Sequence, residues 1–332
     1  MDGSQWEQVE LAQLKVDRRH FSRVALGFLI YDIVGIGLQL CGVQALRLTG
    51  WDYGPYRTTL NWLFNLMFMY ILALPAAACY FKTVPKFGEV RHERWEFTAW
   101  LVVVLIGLAM GYFGNIVGSL VSGFTGGISA DYEGLMDMIF EGNMFLTFLN
   151  VVIGAPIVEE LLLRKFLIDR TIGYGEKLSV LLSGTLFGLM HGNFQQFFYA
   201  FALGALFAYI YCKTGKIKNT ILFHMWINFS GSILVPGLLR PVVAAMDGGG
   251  TEEEMFQAAV GLLFVAAGLA LLSYMLLQLV AAVAGLILFF VFKRYICFYP
   301  GIRQLPRGKR LLTVLVNPGM LAFVGFCIWG FF

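Results

Sequence analysis

Long apolar runs separated by short polar segments dominate the pattern of this chain. A membrane-spanning helix needs about 20 mostly apolar residues. Nine runs can be drawn as such helices, at about 21–46, 59–81, 97–123, 143–168, 178–192, 196–212, 219–239, 256–292 and 311–331. The pattern predicts an all-α fold, a polytopic transmembrane helical bundle of about nine spans, with eight as the alternative count.

The polar stretch at residues 1–20 stands apart from these runs. It carries a few apolar side chains on one face, which is compatible with a short helix at the membrane interface or with a cytoplasmic tail. Residues 21–332 then form a single transmembrane domain. The polar residues that could carry chemistry concentrate in its core, at about 143–239.

The charges of the loops predict the orientation of the bundle. Cytoplasmic loops of membrane proteins are enriched in Lys and Arg. The basic segments are 15–23, 82–94, 165–177, 213–218 and 293–310, whereas 124–142 and 241–255 are acidic and contain no base. The N-terminus is therefore expected in the cytoplasm and the C-terminus outside. Segment 256–292 must cross an odd number of times, so a single long helix is expected there.

The composition agrees with a membrane protein. Hydrophobic residues make up 58% of the 332 residues and charged residues only 14%, against roughly 25% charged in soluble domains. This excludes an ordinary soluble domain, a disordered chain and a nucleic-acid-binding protein, which needs a basic stripe. The five cysteines form no CxxC pair and are expected to be apolar packing residues.

Few ionisable residues lie within the predicted spans. Each costs roughly 2.5–3.5 kcal/mol on insertion, so such residues mark functional sites. They are Asp32, Glu159, Glu160, Arg164, His191 and His224. Five of the six fall in one third of the chain, and only Asp32 has no evident neighbour of this kind.

The fourth span contains two adjacent glutamates and an arginine. Glu160 and Arg164 are one helical turn apart and can pair on one face. Glu159 points about 100° away and is free to face a cavity. A buried structural ion pair with a spare glutamate explains this fragment equally well.

Two further short motifs, on the fifth and seventh predicted spans, each contain a histidine and a second residue one helical turn away. Phe187 precedes His191 by four residues, and His224 precedes Asn228 by four. Each fragment alone is typical of interhelical hydrogen bonding. Together with Glu159, they bring a carboxylate, two imidazoles and an amide onto three helices, which favours an active-site cavity within the membrane.

These three elements, Glu-Glu-x-x-x-Arg, Phe-x-x-x-His and His-x-x-x-Asn, resemble those of the CAAX protease and bacteriocin-processing family. The family includes the type II CAAX prenyl endopeptidase, a glutamate-dependent intramembrane protease. The resemblance covers about 150–235 and fits in order and spacing. It implies a metal-independent endopeptidase that needs no cofactor, with its cavity open toward the cytosol.

The resemblance also implies a role for each residue. Glu159 would activate a water molecule that His191 helps to hold. His224 and Asn228 would form the oxyanion hole. The remaining motif residues, Glu160, Arg164 and Phe187, would support the site or position the substrate.

Elementary chemistry is consistent with these roles. Amide hydrolysis needs a base, a held water and donors aimed at the developing oxyanion. A zinc site with one glutamate and two histidines is the main alternative. Three features argue against a zinc site: the sequence has no HExxH motif, Asn228 would be a poor zinc ligand, and the positive charge of Arg164 would repel the metal ion. Helix rise places Glu159 and His224 in the cytoplasmic half of the membrane and His191 deepest.

Two other functions remain open from the sequence. A secondary transporter would use intramembrane Glu and His as proton relays, but it predicts an internal repeat that we do not find. A non-catalytic immunity or scaffold protein of the same family would keep the motifs. The expected partners are membrane lipids and a peptide or lipidated-protein substrate, with no nucleic acid, in a bacterial cell membrane. The oligomeric state and the role of Asp32 stay open.

Overall fold

The computed structural model describes residues 3–50, 54–125, 130–140, 142–240 and 254–331. Within these ranges the chain is helical, and the only β-type pairing is a single bridge between Gly175 and Pro300. The predicted all-α fold is confirmed. The helices are α1 (Gly3–Leu48), α2 (Arg57–Thr83), α3 (Phe97–Thr125), α4 (Ala130–Phe140), α5 (Met144–Tyr174), α6 (Glu176–Met190), α7 (Phe194–Thr214), α8 (Ile217–Arg240), α9 (Glu254–Phe292), α10 (Arg310–Leu315) and α11 (Pro318–Trp329).

Seven of the described helices are long and apolar enough to cross a membrane, and a polytopic bundle is therefore confirmed. The predicted segments 178–192 and 311–331 are shorter than expected. Helix α6 has 15 residues, and the last segment is divided into α10 and α11. Asn317 causes this division, because its side chain accepts a hydrogen bond from the Met320 N–H and starts a new helix.

Helix α9 is continuous over Glu254–Phe292, as the loop charges predict. It packs against α3 on the outside of the bundle. Only 11% of its most apolar window is buried. An apolar helix with so little protein contact is suited to face lipid.

Residues 3–20 continue directly into α1 as part of one helix of 46 residues. Asp17 on this extension is 2% exposed. It accepts hydrogen bonds from Arg303 at 2.7 Å and from the Tyr174 hydroxyl at 2.6 Å. The extension is thus attached to the segment before α10 and to the end of α5.

The core lies where α1, α2, α5, α6, α7 and α11 meet. Helix α7 packs along α6 and α3, while α1 packs along α2 and α11. Bulky side chains with no exposed surface fill the centre, among them Phe21, Phe28, Phe81, Leu162 and Phe323. This packing holds α5, α6 and α8, which carry the three motifs, in fixed positions.

Helix α5 contains two wide, π-type turns on either side of its glutamates. They span Phe148–Gly154 and Leu161–Phe166, with a regular stretch at Ala155–Glu160 between them. Such wide turns often occur at functional sites. Pro156 contributes to the first, because proline has no N–H to give to the preceding turn.

Candidate active site

One cavity of about 1070 Å³ lies inside the bundle, and five of the seven residues singled out from the three motifs line it. Its wall includes Glu159 on α5, Phe187 on α6, His191 just after α6, and both His224 and Asn228 on α8. The structure therefore brings together five side chains that are separated by up to 69 positions along the chain.

The predicted Glu160–Arg164 ion pair is present and completely buried. The Arg164 Nη2 donates to Glu160 Oε1 at 2.9 Å, and both side chains have no exposed surface. Arg164 Nη1 also donates to the Ser183 hydroxyl at 3.0 Å, and that hydroxyl donates to the Leu163 carbonyl. The guanidinium is flanked by the Phe187 ring, 5.3 Å from its centroid. These contacts fix α5 against α6 directly beneath the cavity.

Glu159 has a different environment from its neighbour. Its side chain is 26% exposed and lines the cavity. The difference follows from the helix, because adjacent residues point about 100° apart. One carboxylate is neutralised in the core, and the other is available for chemistry.

His224 lies between the two carboxylates, a contact that sequence reasoning did not anticipate. Its Nδ1 is 3.3 Å from Glu160 Oε1, and its Nε2 is 3.5 Å from Glu159 Oε2. An ionised carboxylate only accepts hydrogen bonds, so Nδ1–H is the donor to Glu160. In the neutral ring Nε2 is then an acceptor, and it becomes a donor only when His224 is the imidazolium.

His191 is held by its own helix rather than by Glu159. Its Nδ1–H donates to the Phe187 carbonyl at 2.8 Å, which leaves Nε2 as the nitrogen that can contact a molecule in the cavity. The Phe187 ring lies 4.9 Å from the His191 ring and 5.5 Å from the His224 ring, both edge to face. The Phe187 ring therefore packs against both imidazole rings. It also lines the cavity, as expected for a residue that supports the site.

Asn228 ties α8 to α5 through a carbonyl that the helix itself leaves unpaired. The Ala155 N–H donates to the Asn150 carbonyl, one residue further back than in an α-helix. Pro156 has no N–H. The Val151 carbonyl instead accepts from Asn228 Nδ2 at 2.8 Å. One amide hydrogen of Asn228 is thus used in positioning, and the second remains for a ligand.

Six amide side chains contribute to the cavity wall, and apart from Asn228 the sequence analysis did not single them out. They are Gln39, Asn61, Asn65, Asn115, Gln196 and Asn228. Asn65 Nδ2 bonds Tyr70 at 3.0 Å and Asn150 at 3.1 Å, and Tyr70 in turn donates to the Asn150 carbonyl. A count of amides within the predicted spans would have identified several of them.

The cavity extends from Glu159 toward one end of the bundle. From Glu159 it follows Ala155 and Val151 toward the start of α5. It reaches Arg57 at the start of α2 and Asp137 on α4. These elements lie at the end of the bundle away from the basic loops.

The remaining ionisable groups do not form a recognisable metal site. Within the described ranges, no group of three His, Cys, Asp or Glu side chains is placed to hold a metal ion. Asp32 lies elsewhere on α1, is 9% exposed and does not line the cavity. No function for Asp32 follows from its surroundings.

Comparison with known proteins places the motif-bearing core in a protease family. Residues 141–230 match the family model described as Type II CAAX prenyl endopeptidase Rce1-like. A curated protein of Bacillus subtilis (strain 168), "Putative membrane peptidase YdiL", is 23% identical over 203 residues, which cover 59% of this chain and 79% of that protein. No solved structure matches the chain. The family resemblance indicated by the three motifs is confirmed over residues 141–230, which match the model of that family.

Proposed function

We propose that this protein is an integral-membrane endopeptidase in which Glu159 activates the attacking water. The observation that carries the proposal is the separation of the two glutamates. Glu160 is bound to Arg164 in the core, while Glu159 faces a cavity within contact distance of a histidine. A carboxylate with limited solvent exposure that lines a cavity is suited to act as a general base.

The neighbouring groups supply the rest of the mechanism. Glu159 takes a proton from water as the water attacks the scissile carbonyl, and the proton then passes to the leaving amine. His191 Nε2 helps to hold the water. His224, as the imidazolium, and the second N–H of Asn228 donate to the oxyanion. Preorganised donors of this kind contribute about 100- to 1000-fold each.

A peptide substrate suits the cavity wall. Six amide side chains offer both donors and acceptors, which match the N–H and C=O groups of an extended backbone. The volume of about 1070 Å³ exceeds that of most small-molecule pockets. We propose a CAAX-type prenylated peptide or a related peptide as substrate.

The test is cleavage by the purified protein of prenylated and unprenylated CAAX peptides and of unmodified peptides. We expect Glu159→Gln to lower turnover by at least about 100-fold while the protein stays folded, because glutamine keeps the shape but cannot accept the proton. Glu133→Gln, on an exposed carboxylate of α4 outside the cavity wall, is the control and should be fully active. Near-normal turnover in Glu159→Gln would exclude the mechanism, and a wild-type protein that cleaves none of the peptides would favour a non-catalytic member of the family.

The same assay tests whether a metal takes part. We expect turnover to survive treatment with EDTA or phenanthroline followed by desalting, since Arg164 places a positive charge beside the carboxylates. Loss of activity that added zinc restores would instead make Glu159, His191 and His224 metal ligands.

A further inference from the structure

The two ends of the bundle differ in charge. The described segments around Lys82, Lys165, Lys213 and Lys293 lie at one end and are basic. At the other end, α4 carries Glu133 and Asp137 and no base. By the preference of basic loops for the cytoplasm, the first end is cytoplasmic and the end with α4 is external.

The basic end is closed by a buried ion pair and by the hydrogen bonds of a buried arginine. Lys213 Nζ is 2.7 Å from Glu176 Oε2, and these residues are 1% and 4% exposed. Arg170 crosses from α5 to donate to the Val84 carbonyl at 3.1 Å and to the Phe81 carbonyl. These contacts are desolvated and made by several helices, and among the described residues the cavity lining includes none from this end.

Buried, mostly apolar side chains also fill this end of the bundle, between the basic loops and the cavity. The side chains between the Glu160–Arg164 pair and the basic loops have little or no exposed surface: Leu162, Leu163, Leu167, Ile168, Phe207, Ile210, Tyr211 and Cys212. The lining of the cavity on α7 accordingly stops at Phe207. The closed end thus begins one turn from the catalytic carboxylate.

The opposite end is open. On α8 the lining begins at His224 and continues through Asn228 to Ser232, in the direction of the external end. At the mouth the wall is formed by the exposed residues Arg57, Gly134 and Asp137. Among the described residues, the cavity lining therefore leads from the α4 end down to Glu159.

From this geometry we propose that the active site is entered from the non-cytoplasmic face of the membrane. The inference rests on the proposed endopeptidase function, and of the two substrates proposed above it selects the related peptide: a polypeptide segment that has been translocated, or that is anchored with its chain on the outer face. A lipidated protein that remains in the cytosol would meet the closed end. The direction of access itself does not depend on catalysis.

Cysteine accessibility tests this without requiring turnover. Gly231 lines the cavity and Gly134 lies at its mouth, and a Cβ at either position meets no other heavy atom within 4 Å. Lys218, exposed at the basic end, provides the control. Single variants G231C, G134C and K218C are made in a background that lacks the exposed cysteines Cys41, Cys79 and Cys297. Spheroplasts are treated with a membrane-impermeant cationic methanethiosulfonate, before or after detergent lysis.

We expect Gly134→Cys and Gly231→Cys to react in intact spheroplasts, and Lys218→Cys to react only after lysis. Labelling of Lys218→Cys but not Gly134→Cys in intact spheroplasts would reverse the orientation and overturn the inference. Labelling of Gly134→Cys with Gly231→Cys reactive only after lysis would show that the cavity is not entered from outside. The same labelling of a Glu159→Gln protein separates this inference from the catalytic one, since access should be unchanged when turnover is lost.

Discussion

At the scale of single residues, the site depends on two adjacent glutamates with different environments. Glu160 has no exposed surface and is bound by Arg164 and His224, while Glu159 is 26% exposed in the cavity. Glu160 therefore has a structural role in an ion pair, whereas Glu159 is the candidate general base. The helical rotation of about 100° per residue is sufficient to separate them.

The two glutamates should therefore respond differently to the same substitution. Glu160→Gln leaves the Arg164 guanidinium buried without its counter-charge, which costs about 3–5 kcal/mol of unfolding free energy. We expect a clearly lower melting temperature and lower yield, in contrast to the stable but inactive Glu159→Gln protein. Thermal unfolding of both purified variants in detergent measures this. A Glu160→Gln protein as stable as the wild type would show that the pair is not a structural anchor.

The histidines also have roles that their positions in the sequence do not reveal. Both rings use Nδ1–H for a structural hydrogen bond, His191 to the Phe187 carbonyl and His224 to Glu160. Both neutral rings then offer only an acceptor nitrogen to the cavity. The family resemblance implied an oxyanion hole of His224 and Asn228, and in this geometry His224 can serve there only when protonated.

At the scale of elements, the irregular turns of α5 shape the site. The wide turn at Phe148–Gly154 and the missing N–H of Pro156 leave the Val151 carbonyl without a helical partner. The side-chain amide of Asn228 on α8 donates a hydrogen bond to this carbonyl at 2.8 Å. The irregular hydrogen bonding of α5 thereby positions a candidate catalytic side chain of α8.

Pro156→Ala should weaken this attachment. It supplies an N–H that competes with Asn228 for the Val151 carbonyl, so the amide loses its fixed position. Displacement of a catalytic group by about 1 Å can cost about 100-fold in rate, and we expect a fall in turnover of about 10- to 100-fold with an unchanged or higher melting temperature. Turnover and thermal unfolding of the purified variant are the measurements.

Pro75→Ala is the matched control, since Pro75 also lies near the start of a regular stretch after a wide turn but is exposed and away from the cavity. It should retain full turnover. Equal activity of Pro156→Ala and wild type would show that the proline does not position Asn228.

At the scale of the whole molecule, the bundle is closed at one end and open at the other. The closed end is held by Lys213 on α7, which contacts Glu176 at the start of α6. The Tyr299 N–H donates to the same carboxylate at 3.0 Å, and the Lys213 Nζ lies 4.1 Å from the Tyr299 ring centroid. One ion pair thus connects two helices with the segment that follows α9.

Lys213→Met should destabilise the whole protein, because it leaves the Glu176 carboxylate buried without its nearest cation. We expect a loss of about 3–5 kcal/mol in unfolding free energy, reduced to the extent that Arg91, 3.7 Å away, compensates. The double variant Lys213→Met with Glu176→Gln should recover part of it, since no buried charge remains. Lys216→Met, at an exposed position nearby, is the control for thermal unfolding. A single variant that melts like the control would contradict this role.

Much of this architecture could be predicted from the chain. The apolar runs predicted a helical membrane bundle, the loop charges predicted a single helix through 256–292, and i,i+4 spacing predicted the Glu160–Arg164 pair. All three rest on local or one-dimensional properties, namely the length of an apolar run, the sign of a loop and the pitch of a helix. The resemblance to the family could also be recognised from the sequence, because the family motifs are short and each lies within one helical segment.

Other features depended on contacts between distant segments, which no local pattern encodes. The division of 311–331 arose from one capping Asn317, and the position of His224 between two carboxylates arose from the packing of α8 on α5. The direction of the cavity depends on which end of the bundle is filled by buried side chains of α5 and α7. The chain by itself therefore determined which residues are costly in a membrane and hence candidates for function, whereas only the tertiary structure decided which of them meet and from which end they are reached.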